Sequence, residues 1–286
     1  MDARLAGLLQ LLELERLEVN IFRGSSRDIG SPQVYGGQVL GQALQAAYAT
    51  VDADRVVHSL HAYFLRRGDF NAPIVYFVDR SRDGHSFTSR RVTAIQHGEQ
   101  IFNCSASFQK EEPGFEHQLA MPAVPPPEEL PPAHTPNSTF LDCLSPRLQR
   151  FVLERPIEFR VVPAAATLAG APQQYLWIRM VDRLPDDARL HRCLLAYASD
   201  FHLLGTALIQ HERSVAEGTL VIASIDHVMW FHRPARTDEW LLYATDSPSA
   251  SGARGFTRGS LYRRDGALVA STAQEGLVRV VPTVPG

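Results

Sequence analysis

The sequence predicts an α+β fold in which two tandem units each place a long helix against antiparallel strands. Three observations predict it: a proline-rich segment near the middle of the chain, similar motifs on either side of that segment, and short runs of alternating apolar and polar residues. Such alternation is typical of half-buried strands. The chain has 286 residues and 45% hydrophobic content, which is enough for a sizeable core.

The first segment, MDARLAGLLQLLELERLEVNIF, predicts an amphipathic helix and not a signal peptide. Charged residues interrupt its apolar positions, which are Leu5, Leu8, Leu9, Leu12 and Leu17. The sequence contains no run of about 18 apolar residues, so we expect no membrane span. Its three cysteines lie far apart, which predicts no disulfide framework and favours the cytoplasm.

The first unit is expected to occupy residues 1–110. Gly36 and Gly37 open a helix-like run that continues as VLGQALQAAYA. Strand-like runs follow it, and in one of them apolar and polar residues alternate from Ile101 to Ser105. The unit therefore reads as one helix followed by about four strands.

A linker and a second unit complete the predicted architecture. Residues 111–156 are expected to form the linker, because the stretch EEPGFEHQLAMPAVPPPEELPPAHTP holds eight prolines and no period. The second unit takes residues 157–286, and Asp200 is expected to cap the start of its helix, where the first unit has its glycine pair. Two such units side by side join their sheets into one and remove an exposed edge.

Composition and motif spacing argue against several classes of function. The net charge is −3 and charged residues make up 21% of the chain, so we expect no nucleic-acid partner. The histidines are scattered, and the five-residue spacing of His227 and His232 is not that of a ligand pair on one helical face, so no metal site is expected. The chain has no G-x-S-x-G nucleophile elbow, which argues against a conventional serine hydrolase.

Several motifs in both units resemble those of the acyl-CoA thioesterase II (TesB-type) family. They run in order from about Phe22 to Arg279 and read GGQVLGQAL, VHSLHAYFLRRGD, SRDGHSFTSRRV, AYASDF, SIDHVMWFHRP, EWLLY, ARGFTRG and STAQEG. The resemblance implies a double hotdog fold, in which the two repeats form one continuous sheet. It also implies hydrolysis of fatty acyl-CoA to a free fatty acid and CoA, with no metal or organic cofactor.

The same resemblance implies a catalytic set of one acid, one hydroxyl and one amide. On the matching motifs these are Asp200 in AYASDF, Ser224 in SIDH, where many members have Thr, and Gln274 in STAQEG. The set suits the chemistry, because a carboxylate accepts a proton from water while a hydroxyl and an amide orient that water toward the thioester carbonyl. Backbone N–H groups at Gly36 and Gly37 are expected to stabilise the oxyanion.

Further residues are predicted to bind substrate, since guanidinium groups match the CoA phosphates and soft or aromatic side chains suit an acyl chain. They are Arg90, Arg254 and Arg258 for the phosphates, Met229 and Trp230 for the acyl group, and His58 as a residue that lines the site. Asp226, with His227 beside it, is expected to share the strand face of Ser224 and to support the site.

Two other functions stay open on the sequence alone. Hotdog folds also host enoyl-CoA hydratases, which would use an Asp–His pair, and Phe201-His202 directly follows Asp200. A non-catalytic acyl-CoA-binding protein would keep the fold and release no thiol. We also expect a homodimer or larger homo-oligomer, because the resemblance implies that such proteins bury their remaining sheet and helix surface by pairing.

Overall fold

A single sheet of thirteen antiparallel strands extends through the part of the chain that the computed structural model describes, residues 1–31, 33–133, 146–163, 172–211 and 218–282. The strands of the first half are β1 Glu15–Glu18, β2 Ile21–Gly24, β3 Val56–Phe64, β4 Ile74–Asp83, β5 Phe87–Gln96 and β6 Glu99–Gln109. Those of the second half are β7 Ile157–Val161, β8 Gln173–Met180, β9 Gly218–Ser224, β10 Asp226–Phe231, β11 Leu241–Ser251, β12 Arg254–Arg263 and β13 Leu268–Pro282. The helices are α1 Ala3–Leu12, α2 Gly36–Tyr48, α3 Pro146–Leu153 and α4 Ala188–Ser199, and short 3₁₀ helices span Pro127–Glu129 and Leu204–His211.

The strand order repeats between the two halves of the chain. It is β2-β4-β5-β6-β3 in the first half and β8-β11-β12-β13-β10 in the second. Strands β3 and β10 then pair with each other, with His61 opposite Val228, so the two sheets become one. This is the double hotdog arrangement that the motifs predict, and the join removes one exposed edge from each unit.

The long helices α2 and α4 pack against each other at close range. A Cβ added at Gly37 would lie 2.3 Å from the carbonyl oxygen of Tyr197, and one added at Gly41 would lie 3.3 Å from that of Cys193. These contacts show that the helices run antiparallel, so the start of α2 meets the end of α4. Glycine at the crossing is what permits this approach.

The expectation that Asp200 opens a helix is wrong. Asp200 follows α4 as its C-terminal cap, and Asp187 caps the start of that helix by accepting a hydrogen bond from the Arg189 amide. The helix forms before Asp200 because the apolar run CLLAYA, which drives its burial, precedes the acid. Gly36 and Gly37 therefore face Asp200 across the helix pair and do not occupy the equivalent position in the first unit.

The N-terminal helix is also shorter than the sequence predicts. Leu5, Leu8 and Leu12 are buried on α1 as expected, but the helix ends at Leu12. Leu17 lies on β1, which pairs with β2, and is 46% exposed. None of the helices in the described ranges is long and apolar enough to cross a membrane.

The proline-rich segment lies on the sheet face that points away from α2 and α4. Trp177 Nε1 donates to the carbonyl oxygen of Pro125 at 2.9 Å, and Met121 and Val124 pack against the same cluster. Residues 134–145 of the predicted linker lie outside the described residues, and α3 begins directly after them. The unit boundaries at 110 and 156 stay a prediction.

Candidate active site

Three side chains that are distant in the sequence meet at the end of α4. Gln274 Nε2 donates to Asp200 Oδ1 at 2.9 Å and to Ser224 Oγ at 3.0 Å. Each comes from a different element, because Asp200 follows α4, Ser224 ends β9 and Gln274 lies on β13 beside it. The structure thus brings together the acid, the hydroxyl and the amide that the family resemblance selects.

The Asp200 carboxylate faces the start of α2. Its Oδ2 accepts a hydrogen bond from the Gly37 amide at 3.0 Å, and its side chain is 7% exposed. The first amides of a helix lack helical partners and lie at the positive end of the helix dipole, which suits a negative charge. A Cβ at Gly36 would lie 2.7 Å from Oδ2, so glycine there leaves room for the carboxylate.

The glycine pair is predicted to stabilise the oxyanion, and its contacts modify that interpretation. The Gly37 amide is bonded to Asp200, so in this arrangement it supports the acid and not an oxyanion. Gly36 borders the site as expected. The identity of the oxyanion donors stays a prediction.

The three side chains leave complementary hydrogen-bonding groups available. Gln274 is fully buried and uses both amide hydrogens. Since Ser224 Oγ accepts one of them, its own hydrogen is available for donation. Gln274 Oε1 has no hydrogen-bond partner within the described residues. Oε1 is itself buried from solvent. The cluster therefore offers a water molecule a carboxylate acceptor and a hydroxyl donor, and the Gln274 amide holds these two groups together.

A small pocket of about 60 Å³ adjoins this cluster. Its wall combines apolar side chains, among them Val34, Phe64 and Phe102, with the polar residues Gln33, Arg66 and Ser224. Apolar walls beside a few convergent polar groups are typical of small-molecule sites. The pocket therefore suits a ligand with a hydrocarbon portion next to a reactive polar group.

His227 lies directly behind Asp200, although the sequence points to it only as the neighbour of Asp226. It is 0% exposed, with Nδ1 4.0 Å from Asp200 Oδ1 and Nε2 2.9 Å from Ser199 Oγ. Asp226 faces the other side of the sheet, where its Oδ1 accepts from the Glu275 amide at 2.6 Å. The expectation for Asp226 is wrong because Ser224 and Asp226 belong to different strands, so alternation does not carry across them.

Within the described residues, the polar cluster occurs in one of the two copies of the repeat. One backbone hydrogen bond occurs in both copies and aligns them. The Leu65 amide donates to the Ile101 carbonyl oxygen in the first copy, and the His232 amide donates to the Val269 carbonyl oxygen in the second. Counting from these bonds, Leu60 stands in the first copy where the second has His227, and Ala106 stands where it has Gln274. Leu60 and Ala106 are buried and lie opposite each other on β3 and β6. The first copy is therefore apolar where the second is polar.

Comparison with known proteins decides the family. A family model described as acyl-CoA thioesterase matches residues 147–277, and one described as acyl-CoA thioesterase N-terminal domain matches residues 23–109. The chain is 43% identical over 280 residues to acyl-CoA thioesterase 2 of Haemophilus influenzae, covering 96% of this chain and 98% of that one. The chain belongs to the acyl-CoA thioesterase II family.

Similarity to other members of the acyl-CoA thioesterase II family extends over the whole chain. Human acyl-coenzyme A thioesterase 8 is 43% identical over 297 residues, covering 99% of this chain and 92% of that one. The crystal structure of an acyl-CoA thioesterase II TesB2 from Mycobacterium marinum is 46% identical, covers 96% of this chain and 98% of that one, and superposes with a TM-score of 0.82. As a member of this family, the protein is an acyl-CoA thioesterase, a thioester hydrolase.

Two of the predicted substrate-binding residues of this thioesterase are buried. Met229 is fully buried in the core. Arg90 is 2% exposed, and all five of its N–H donors are used, including bonds to Thr50 Oγ1 at 2.9 Å and Asp83 Oδ1 at 2.5 Å. These contacts favour a structural role for Arg90, because binding a CoA phosphate would require it to release them.

The remaining predicted substrate-binding residues lie on the outer side of the sheet or at its exposed edge. His58 Nε2 is 2.8 Å from Ser107 Oγ, and Arg254 Nε donates to Glu275 at 2.8 Å. Trp230 and Arg258 line one outer groove, where Asp246 accepts two bonds from Arg258. The structure does not bring these residues to the cluster, and their role in binding CoA stays a prediction.

Acidification is expected to destabilise this protein through His227. Burial lowers the pKa of His227 below its usual 6.5, although Asp200 opposes the shift. As the pH falls through about 6.5, the unfolded chain takes up a proton that the folded protein refuses, so stability is lost at up to about 1.4 kcal/mol per pH unit until the lowered pKa is reached.

Urea unfolding at pH 7.5 and pH 5.5 checks this effect. The wild type is expected to lose more free energy of unfolding between the two pH values than His227→Leu does, since the variant removes the titrating group. Other buried histidines contribute equally to both proteins. Equal losses in the two proteins would contradict the prediction.

Proposed function

We propose that this acyl-CoA thioesterase hydrolyses fatty acyl-CoA by direct attack of water, which Asp200 deprotonates and which Ser224 and Gln274 hold. The observation that carries the proposal is the Gln274 amide, which joins Asp200 and Ser224 in one network beside a pocket whose wall includes Phe64 and Phe102. The network suits the water, and the aromatic part of the wall suits the part of the acyl group next to the thioester. Such an enzyme belongs to fatty-acid metabolism.

Each of the three groups has a separate task in this mechanism. The Gln274 amide fixes Asp200 and Ser224 by donating to both. The attacking water donates one hydrogen to Asp200 and accepts a hydrogen bond from the Ser224 hydroxyl. Its remaining lone pair then points at the carbonyl carbon. As the C–O bond forms, Asp200 takes the proton, and the tetrahedral intermediate breaks its C–S bond so that the electron pair leaves with sulfur.

The leaving group explains why no covalent nucleophile is needed. A thiolate leaves readily and a thioester carbonyl is electrophilic, so water needs only modest activation. Two cysteines are also poorly suited to attack, because burial raises the pKa of Cys104 to about 12 and raises that of Cys193 as well. Cys143 lies outside the described residues.

Replacing Ser224 separates the role of its hydroxyl from that of its size. Ser224→Ala is expected to lower kcat by about 100-fold, since the water loses one of its hydrogen-bond donors. Ser224→Thr keeps the hydroxyl and is expected to stay within about threefold of the wild type. Steady-state release of free thiol from a fatty acyl-CoA measures both variants, and equal losses in the two would contradict the assignment.

The alternative of an enoyl-CoA hydratase is tested by its products. The sequence suggests His202 for its Asp–His pair, but the His202 ring lies 4.8 Å from the ring of Phe159 and its Nε2 is 3.4 Å from Arg155 Nη1. The histidine that the structure places beside Asp200 is His227, with Nδ1 4.0 Å from Oδ1. A panel of saturated and unsaturated acyl-CoAs, followed for thiol release and for mass, decides between the functions. Gain of one water with the thioester intact would support a hydratase, and tight binding without either product would support a binding protein.

Location and assembly stay predictions for this chain. We expect a cytoplasmic enzyme that forms a homodimer or larger homo-oligomer. Sedimentation of the purified protein over a range of concentrations measures its assembly. A monomer at every concentration would contradict the expectation.

A further inference from the structure

The imidazole of His227 lies behind the proposed base and is the one part of the polar cluster to which the mechanism above gives no task. It is fully buried, and Leu60 takes its place in the first copy of the repeat. A buried polar group whose hydrogen bonds are incomplete weakens a fold. The presence of His227 in the copy that carries Asp200 and Gln274 therefore indicates a role in function.

The hydrogen bonds around Ser199 fix the tautomer of His227. Ser199 Oγ lies 3.0 Å from the carbonyl oxygen of Ala196, which can only accept, so the serine hydroxyl donates to it. Ser199 Oγ then accepts from His227 Nε2 at 2.9 Å. The ring hydrogen is thus on Nε2, and Nδ1 carries a bare lone pair.

The bare nitrogen faces the carboxylate of Asp200. Nδ1 lies 4.0 Å from Asp200 Oδ1 and has no hydrogen-bond partner within the described ranges. Two acceptors at this distance repel each other, and a proton placed between them converts the repulsion into an ion pair. A side-chain shift of about 1 Å brings the pair within hydrogen-bonding distance.

Within the described part of the chain, Asp200 is the one charged group that faces this ring. Ala62 is paired with His227 on β3, and Gln274 lies beside it on β13. The buried phenol of Tyr243 on β11 donates to the carbonyl oxygen of Ser199, and it stays neutral because burial raises its pKa. Burial keeps His227 itself neutral by lowering its pKa.

We propose that His227 is a positioning residue that acts through Asp200. Through Ser199 it holds the backbone next to Asp200, and through Nδ1 it accepts the proton that Asp200 removes from water. The proposal rests on the proposed function of Asp200 as the base. The proton passes from water to the carboxylate and then to Nδ1, so Asp200 is again an anion when the intermediate collapses. After the C–S bond breaks, the proton returns through Asp200 to the thiolate, which balances the reaction.

This role has a consequence for the dependence of kcat on pH. The proposed proton transfer requires a bare Nδ1 on His227, so a proton already bound there blocks it and sets the acid limb. Removing His227 while keeping a donor to Ser199 is therefore expected to move the acid limb of the kcat profile to lower pH. A residue that served only to fill space would leave the position of that limb unchanged.

His227→Gln tests the proposal, because its amide still reaches Ser199 but carries no base for Asp200. Free-thiol release from a fatty acyl-CoA is measured from pH 4.5 to 9 for this variant, for the wild type and for Asp200→Asn. His191→Gln is the matched control, since His191 is also buried, at 4% exposed, but lies on α4 nine residues before Asp200, roughly 14 Å along the helix.

We expect His227→Gln to lower kcat by about 100-fold with little change in KM, and to move the acid limb down by on the order of one pH unit. His191→Gln keeps the wild-type profile. An unmoved acid limb in His227→Gln, with Asp200→Asn inactive, would overturn the inference alone. Wild-type rates in Asp200→Asn would instead overturn the proposed function.

A second measurement is read from the wild-type protein, and variants serve only to assign its resonances. In the wild type with ¹⁵N-labelled histidine, the side-chain nitrogen shifts identify the tautomer of each ring. We expect the His227 resonances, assigned by their loss in His227→Leu or His227→Gln, to show a proton on Nε2 and a bare Nδ1 at neutral pH. A proton on Nδ1 would overturn the inference.

Discussion

Asp200→Asn is expected to lower kcat for fatty acyl-CoA hydrolysis by about 10²–10⁴-fold, because the amide cannot accept the proton of the attacking water. The size of the loss follows from the absence of another carboxylate in the cluster, within the residues that the structure describes. Free-thiol release at saturating substrate measures it. A kcat within threefold of the wild type would contradict the assignment of Asp200 as the base.

The same variant is expected to keep its fold. The new amide oxygen accepts from Gly37, as Asp200 Oδ2 does now at 3.0 Å. Its NH₂ group then meets Gln274, whose amide can rotate to present Oε1, an atom without a partner in the described chain. Thermal unfolding and near-ultraviolet circular dichroism check this point, and both should match the wild type closely.

Gly37→Ala is expected to destabilise the protein more than any other substitution that adds a single methyl group near the site. The new Cβ would lie 2.3 Å from the carbonyl oxygen of Tyr197 and 2.4 Å from Tyr35 Cε1. A backbone oxygen cannot rotate away, so α2 and α4 must separate. Overpacking of this kind costs about 1–3 kcal/mol, and here it also moves the Gly37 amide away from Asp200.

Urea unfolding compares this variant with Gly205→Ala. A Cβ at Gly205 meets no described heavy atom within 4 Å, and the residue lies in the 3₁₀ helix Leu204–His211 near the site. We expect Gly205→Ala to change the free energy of unfolding by less than about 1 kcal/mol. Equal effects of the two substitutions would show that the helix crossing is not as tightly packed as these distances indicate.

The repeat and its continuous sheet could be predicted from the sequence because both depend on local signals. Alternation from Ile101 to Ser105 and glycine-containing turns mark the strands of one unit, and the second unit repeats them. Asp200 was harder to place. A polar residue beside an apolar run suits either end of a helix, and only the capping of α4 by Asp187 settles which end it occupies.

The direction in which side chains point explains the other differences between sequence and structure. Arg90 and Arg258 occupy similar sequence contexts, yet Arg90 points inward because Thr50 and Asp83 satisfy its donors. Arg258 points outward to Asp246. The contact of His227 with Ser199 could not be predicted from the sequence, because the two residues are 28 positions apart and only the folded chain brings them together.

The central claim is that the thioester is cleaved by water held between Asp200, Ser224 and Gln274. A crystal structure of Asp200→Asn with intact fatty acyl-CoA tests it most directly. We predict a water that is bonded to Ser224 and lies within about 3.5 Å of the thioester carbonyl carbon, with the acyl chain against Phe64 and Phe102. A thioester bound instead in the outer groove beside Trp230 and Arg258 would contradict the account.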